Sequence, residues 1–172
     1  MTDPIEAQPV NTPPTTFATF LVVTVDDAEE ARDAVRDTLS GIDDVMKNVG
    51  YRDLDDHLSG IVAIGARVWP ALTRRPLPAQ LHPFRVVEGA RHTAPGTPGD
   101  VLLHLRANRR DLVFEAERQI LAQLGTAVTV VDETTGFRSF DMRDLLGFVD
   151  GTADPVGNAL SASTLVGDED PA

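Results

Sequence analysis

One carboxylate, Asp150, stands between two glycines in the run Gly147-Phe148-Val149-Asp150-Gly151-Thr152-Ala153-Asp154-Pro155. Glycine lacks a Cβ, so a loop with this spacing can pass close to a flat, bulky group and can take φ > 0 without steric cost. Phe148 and Val149 supply apolar cover. A carboxyl with little water around it has its charged form disfavoured and its pKa raised. A group tuned in this way can take a proton and return it. A purely structural reading stands beside this one, because Gly-x-x-Asp-Gly also describes an ordinary turn that Asp caps and Gly permits.

The other chemistry-bearing residues are scattered. His57, His82, His92 and His104 show no paired spacing of the kind metal sites use. His104 falls on a strand beside Leu102 and Arg106, where a structural hydrogen bond is expected, and His82, ahead of Pro83, reads as a loop anchor. Arg109 and Arg110 with Asp111 read as a helix start, and Arg74 with Arg75 as a solvated loop. Asp53, Asp55 and Asp56 lack the Gly and terminal Glu of a calcium loop and read as a solvated acidic turn. Trp69 and Tyr51 are oxidisable, but core roles are expected for both. No Gly-x-Ser-x-Gly elbow is present. No metal ligand set is assigned.

Composition narrows the class. The 172 residues, 42% hydrophobic, suffice for one ordinary domain with a real core. The absence of cysteine excludes disulfides, thiolate-held zinc, iron–sulfur clusters and a thiolate-ligated haem. A net charge of −12 argues against nucleic acid and anionic membranes as partners. The acidic, polar N-terminus lacks the basic and apolar regions of a secretory signal, so a cytoplasmic location is expected.

The elements that must position Asp150 follow from periodicity. Residues 1–16, with Pro4, Pro9, Pro13 and Pro14, read as a flexible arm. Residues 17–25 are β-branched and aromatic almost throughout, which suits a buried strand. Ala28, Ala31, Val35 and Leu39 then recur at helical spacing up to Gly41, with Asp26 or Asp27 as N-cap. A short helix is expected over 42–51 and a second strand over 60–66. The prolines between 70 and 98 predict a long loop without regular structure. A third strand is expected over 100–106, a second long helix over 109–124, a fourth strand over 127–131, and a hairpin near Gly136. Strand, helix, strand, strand, helix, strand is the α+β, ferredoxin-like split βαβ order: an antiparallel sheet with its helices on one face. The other face would need a cover of its own.

The segment Leu145-Leu146-Gly147-Phe148-Val149-Asp150-Gly151-Thr152, preceded by Phe137-Arg138-Ser139-Phe140 and Arg143-Asp144, resembles the signature of the dye-decolourising haem peroxidases. Leu81-His82-Pro83-Phe84, Ala94-Pro95-Gly96-Thr97-Pro98-Gly99-Asp100 and Val130-Val131-Asp132-Glu133 resemble the bacterial B-type branch, in the same order, so the likeness runs from about Phe17 to the last residue. The resemblance implies two ferredoxin-like domains enclosing haem b, with the Asp150 loop over its distal face. It implies Asp150 as distal acid–base residue, and Gly147, Phe148, Val149, Gly151 and Thr152 as residues against the porphyrin. Hydrogen peroxide would be reduced and small aromatic donors such as dyes or phenols oxidised. Homo-oligomers, and for some members packaging in an encapsulin nanocompartment, are implied as well.

On this reading residues 17–140 form the ferredoxin-like domain, and 141–172 hold the distal loop and a connector. The proximal His and distal Arg of the family belong to a second domain, expected beyond Ala172, so the isolated chain is expected to be largely inactive. Ala153 departs from the Glu that B-type relatives often carry. The alternative is a noncatalytic ferredoxin-like module that self-associates or binds a partner through its open sheet face.

Overall fold

In the computed structural model, residues 8–51, 53–140, 143–149, 151 and 153–165 are described. Strand β1 (Phe17–Val25) leads into α1 (Glu29–Ser40) and α2 (Ile42–Gly50). β2 (Ser59–Ile64) and the short α3 (Trp69–Thr73) follow, then a small hairpin of β3 (Val87–Glu88) and β4 (Thr93–Ala94). β5 (Val101–Ala107), α4 (Arg110–Leu124) and β6 (Val128–Phe137) complete the domain, and α5 (Asn158–Thr164) lies near the end. The main sheet has the order β2-β5-β1-β6 with every pair antiparallel. This is the ferredoxin-like α+β arrangement.

Period-two alternation decides which face is core. Leu21, Val23 and Val25 of β1 and Val101, Leu103, Leu105 and Ala107 of β5 are buried. They pack with Val35 of α1, Val45 and Val49 of α2, and Val113, Ala116, Ile120 and Leu124 of α4. Each fully buried aliphatic side chain of this kind contributes roughly 1.5–3 kcal/mol. The opposite face carries Ala18, Phe20 and Val22 against Arg106, His104 and Leu102, paired across β1 and β5, with Ser59, Ile61 and Ala63 of β2 beyond.

The ends of the helices follow local chemistry. Glu29 and Glu30 occupy the first turn of α1, where the positive end of the helix dipole favours them. Just before it, the Asp26 carboxylate accepts the Ala28 N–H at 2.9 Å. Pro70 sits in the first turn of α3, where a missing N–H costs nothing. The expectation of no regular structure after residue 70 is therefore corrected. A proline-rich stretch can open a helix, and here it also holds the β3–β4 pair.

The expected hairpin near Gly136 is corrected too. β6 runs unbroken to Phe137, with a bulge that leaves Val131 as the extra residue between Val22↔Asp132 and Val23↔Val130. Its second half is acidic and Thr-rich because it is an edge strand facing water, and this hid its strand character.

One polar clamp ties the layers together. Asp100, 3% exposed, accepts the Val25 N–H at 2.8 Å and the Arg67 Nε at 2.7 Å. Arg67 also donates to Asp27 and to the Val25 carbonyl, each at 2.7 Å. Burial alone would raise the Asp100 carboxyl, but the Arg67 hydrogen bonds, the Val25 N–H and the Arg67 charge outweigh it and hold it below its ordinary value. Nothing in the sequence pattern singles out Arg67.

The described part of the N-terminal arm, residues 8–16, is bonded to the domain. The Gln8 side-chain amide donates to the Val62 carbonyl at 2.8 Å and accepts the Val62 N–H at 2.7 Å, as a neighbouring strand would. Arg106 reaches the Thr12 hydroxyl and the Pro9 and Val10 carbonyls. Arg138 N–H donates to the Thr16 carbonyl at 2.8 Å.

Candidate functional site

The chain leaves β6 and enters a tight turn over residues 143–149, organised by a residue other than Asp150. The Asp144 Oδ1 accepts the N–H groups of Leu146 (2.9 Å) and Phe148 (2.8 Å). Asp144 N–H donates to the Phe148 carbonyl at 3.0 Å, and Gly147 N–H to the Asp144 carbonyl at 3.1 Å. Arg143 pairs antiparallel with Val149, and its guanidinium donates to the Gly147 carbonyl at 3.0 Å. An Asp that bonds its own backbone two residues on is a recognised turn device. The Asp-x-x-Gly spacing was the signal that could have shown the role of Asp144.

Gly147 and Gly151 take φ of +95° and +77°, in the region that disfavours a side chain. After Gly151, the Asp154 N–H donates to the Gly151 carbonyl at 3.2 Å, making a second turn. Asp150 and Thr152 lie outside the described residues. Polar contacts thus fix the inside of the turn while its apolar side chains face out. Phe148 and Val149 are exposed, and Leu145 and Leu146 are 85% and 83% exposed. Beyond the turn, the Thr164 hydroxyl donates to the Asn11 side-chain oxygen at 2.7 Å, so α5 returns to the arm.

The histidines do not converge. His104 stacks on Phe20 with ring centroids 4.3 Å apart and 12° between planes, and it makes no hydrogen bond with a described residue. This corrects the expected structural hydrogen bond. Burial, aided by the charge of Arg106, lowers its pKa. His82 Nδ1 lies 2.8 Å from the Pro83 carbonyl, a local contact, and His57 takes a left-handed conformation after the turn at Leu54–Asp56.

Two other expectations are corrected. Tyr51 is exposed rather than in the core, while the half-buried Trp69 donates its indole N–H to the Pro76 carbonyl at 3.0 Å. Within the acidic turn, Arg109 spans Asp53 (3.8 Å) and Asp56 (3.5 Å), and Asp56 Oδ2 is sealed from water without a hydrogen bond. Desolvation and the neighbouring Asp53 charge raise the Asp56 carboxyl. Among the described residues no group of three or more His, Cys, Asp or Glu side chains could hold a metal ion. A mostly apolar cleft of about 390 Å³ opens beside Met46, Tyr51 and His57, but none of the described residues of 143–151 borders it.

The geometry defines a class first: a ferredoxin-like domain with an open sheet face and, after its last strand, a glycine-flanked turn with its apolar side chains turned outward. Residues 7–138 match the family model described as Dyp-type peroxidase, N-terminal, and the chain belongs to the dye-decolorizing peroxidase family. It is 50% identical over 168 residues to a dye-decolorizing peroxidase of Mycolicibacterium paratuberculosis, covering 98% of this chain and 47% of that one. A Mycobacterium tuberculosis dye-decolorizing peroxidase is 49% identical, with 96% and 49% covered. The chain thus spans about half the length of these curated relatives. Among solved structures, DyPB from Rhodococcus jostii RHA1 superposes with a TM-score of 0.90 at 50% identity, covering 95% of this chain and 53% of that one. The encapsulated DyP-type peroxidase from Mycobacterium smegmatis gives 0.89 at 49% identity, with 95% and 52% covered.

Proposed function

We propose that this chain is the distal half of a haem b-dependent peroxidase that reduces hydrogen peroxide and oxidises small aromatic donors, with Asp150 as its distal acid–base residue. The observation that carries the reading is the turn over 143–149. Its shape is set by Asp144 and Arg143, its apolar side chains are turned outward, and it leads directly into Asp150. Family membership supports the same activity, as do variants of the R. jostii neighbour described in complex with heme.

The residues present fit such a group. A flat macrocycle needs an apolar, closely approaching surface, and Leu145, Leu146, Phe148 and Val149 offer one beside two glycines with positive φ. When bound, haem supplies the redox chemistry toward peroxide. This chain contributes the distal side. Its apolar side chains exclude water, Gly147 and Gly151 allow close approach, and Asp150 takes the proton of incoming hydrogen peroxide and returns it to the departing oxygen, which leaves as water. Assembly as a homo-oligomer in the cytoplasm, with packaging in an encapsulin shell, belongs to the same proposal and is supported by the encapsulated M. smegmatis neighbour.

The test joins this chain to the C-terminal half of a curated relative and loads the product with haem. Asp150→Asn should keep the Soret band and lower peroxide turnover by about 10²–10⁴-fold. Unchanged turnover would remove Asp150 from the mechanism, and failure of the unsubstituted hybrid to bind haem would remove the peroxidase reading. The 172-residue chain alone should show little or no turnover, since none of its four histidines is assigned as the proximal ligand.

A further inference from the structure

Two features are left unused by the peroxidase reading. Between α3 and β5 the chain spends residues 74–99 on an exposed arm, whose strands β3 and β4 pair only with each other. At its tip the Gly89 N–H donates to the His92 carbonyl at 2.9 Å. Arg74, Arg75, Arg85 and Arg91 lie on this arm against a single carboxylate, Glu88, in a chain of net charge −12. Among the described residues the guanidinium groups of Arg85 and Arg91 have no hydrogen-bond or ion-pair partner, and Phe84, Val86 and Val87 beside them are exposed. A long segment held this far from the core is usually ordered for a partner.

The second feature is a small cleft, about 60 Å³, between α4 and β6, bordered by Phe114, Glu117, Glu133 and Thr135. Glu117 is 8% exposed, yet it makes no hydrogen bond or ion pair with a described residue. Burial and the facing Glu133 charge raise its carboxyl. Arg110 also borders the cleft and pairs with neither glutamate. A carboxylate so placed is costly until a cation meets it. β6 is the edge of the sheet, so its outer N–H and C=O groups can accept a further strand.

We propose that the arm of one copy docks in this cleft of a second copy, lying along β6 and setting an arm arginine between Glu117 and Glu133. The charges select the occupant. Pairing β6 with β6 would bring the acidic Asp132 and Glu133 of both copies to one seam, whereas the arm is a basic stretch on an acidic molecule and carries apolar side chains for Phe114. Its test reads assembly rather than turnover, so it stands or falls apart from the peroxidase reading.

Sedimentation velocity of the 172-residue chain should show self-association that weakens with salt. Arg85→Glu with Arg91→Glu should weaken it about tenfold or more, and Glu133→Lys should do the same. Both sets of positions are exposed, and far-UV circular dichroism checks that the variants stay folded. Mixing the two variants should restore association, because an intact arm then meets an intact cleft. A chain that stays monomeric at low salt, an arm variant that associates like the wild type, or a mixture no better than its parts would overturn the proposal. The first of these is also the outcome if the cleft is filled from elsewhere in a longer chain.

Discussion

The helix-covered sheet and the turn after β6 draw on the same apolar residue types and use them in opposite ways. Leu21, Leu103, Leu105 and Ile120 lose all contact with water, and their burial holds the domain together. Leu145 and Leu146 are 85% and 83% exposed, and the turn they belong to keeps its shape through the Asp144 carboxylate and Arg143. Hydrogen bonds can hold a backbone ready while its apolar side chains wait for a partner. A hydrophobic residue in this sequence is therefore evidence of burial, but not of burial by its own chain.

The contrast is sharpest at the core. Leu103→Ala should cost about 3–4 kcal/mol in urea unfolding of the chain. Asp100→Asn should follow at about 2–3 kcal/mol, because it weakens a buried pair whose Arg67 partner is half exposed. Its carboxyl is lowered in the fold, so its contribution is full above the ordinary Asp value of about 3.9 and is lost as pH falls through the folded value. The wild type and Asp100→Asn should accordingly converge on acidification below about pH 4.

Smaller effects probe the turn and the edge. Glu117→Gln should stabilise by about 1 kcal/mol at neutral pH. The Glu117 carboxyl is raised, so the folded state holds its proton to higher pH; the penalty is full above the folded value and gone below about pH 4. A gain that persists in acid would show that charge is not its origin. Asp144→Ala should leave global stability within about 1 kcal/mol while making the turn much more sensitive to limited proteolysis. Leu146→Ala should change stability by less than about 0.5 kcal/mol. If it costs as much as Leu103→Ala, the turn packs against its own domain and its apolar side chains are buried by their own chain.

Where the physics is local and periodic, the sequence told the fold plainly. β1 and β5 alternate or run apolar, α4 shows its buried face at Val113, Ala116, Ile120 and Leu124, and the resulting order is the ferredoxin-like one. It was less legible where residues answer to water or to distant partners. The polar second half of β6 looked like a turn because an edge strand has no core face to fill. Arg67 gives no local sign that it will reach Asp100, thirty-three positions away. At the site, the Asp150 run stood out by its glycines, whereas Asp144, which organises the adjoining turn, resembled any loop aspartate.

Gln8 has a consequence for how copies can be joined. By pairing both ends of its amide with Val62, it occupies the middle of the outer rim of β2, so among the described residues the sheet keeps one free rim, at β6. In the language of chain growth, a sheet with two open rims can lengthen strand by strand, while one with a single open rim cannot. A side chain near the start of the sequence thus acts as a chain terminator for edge-to-edge growth of the sheet, leaving assembly to contacts of other kinds.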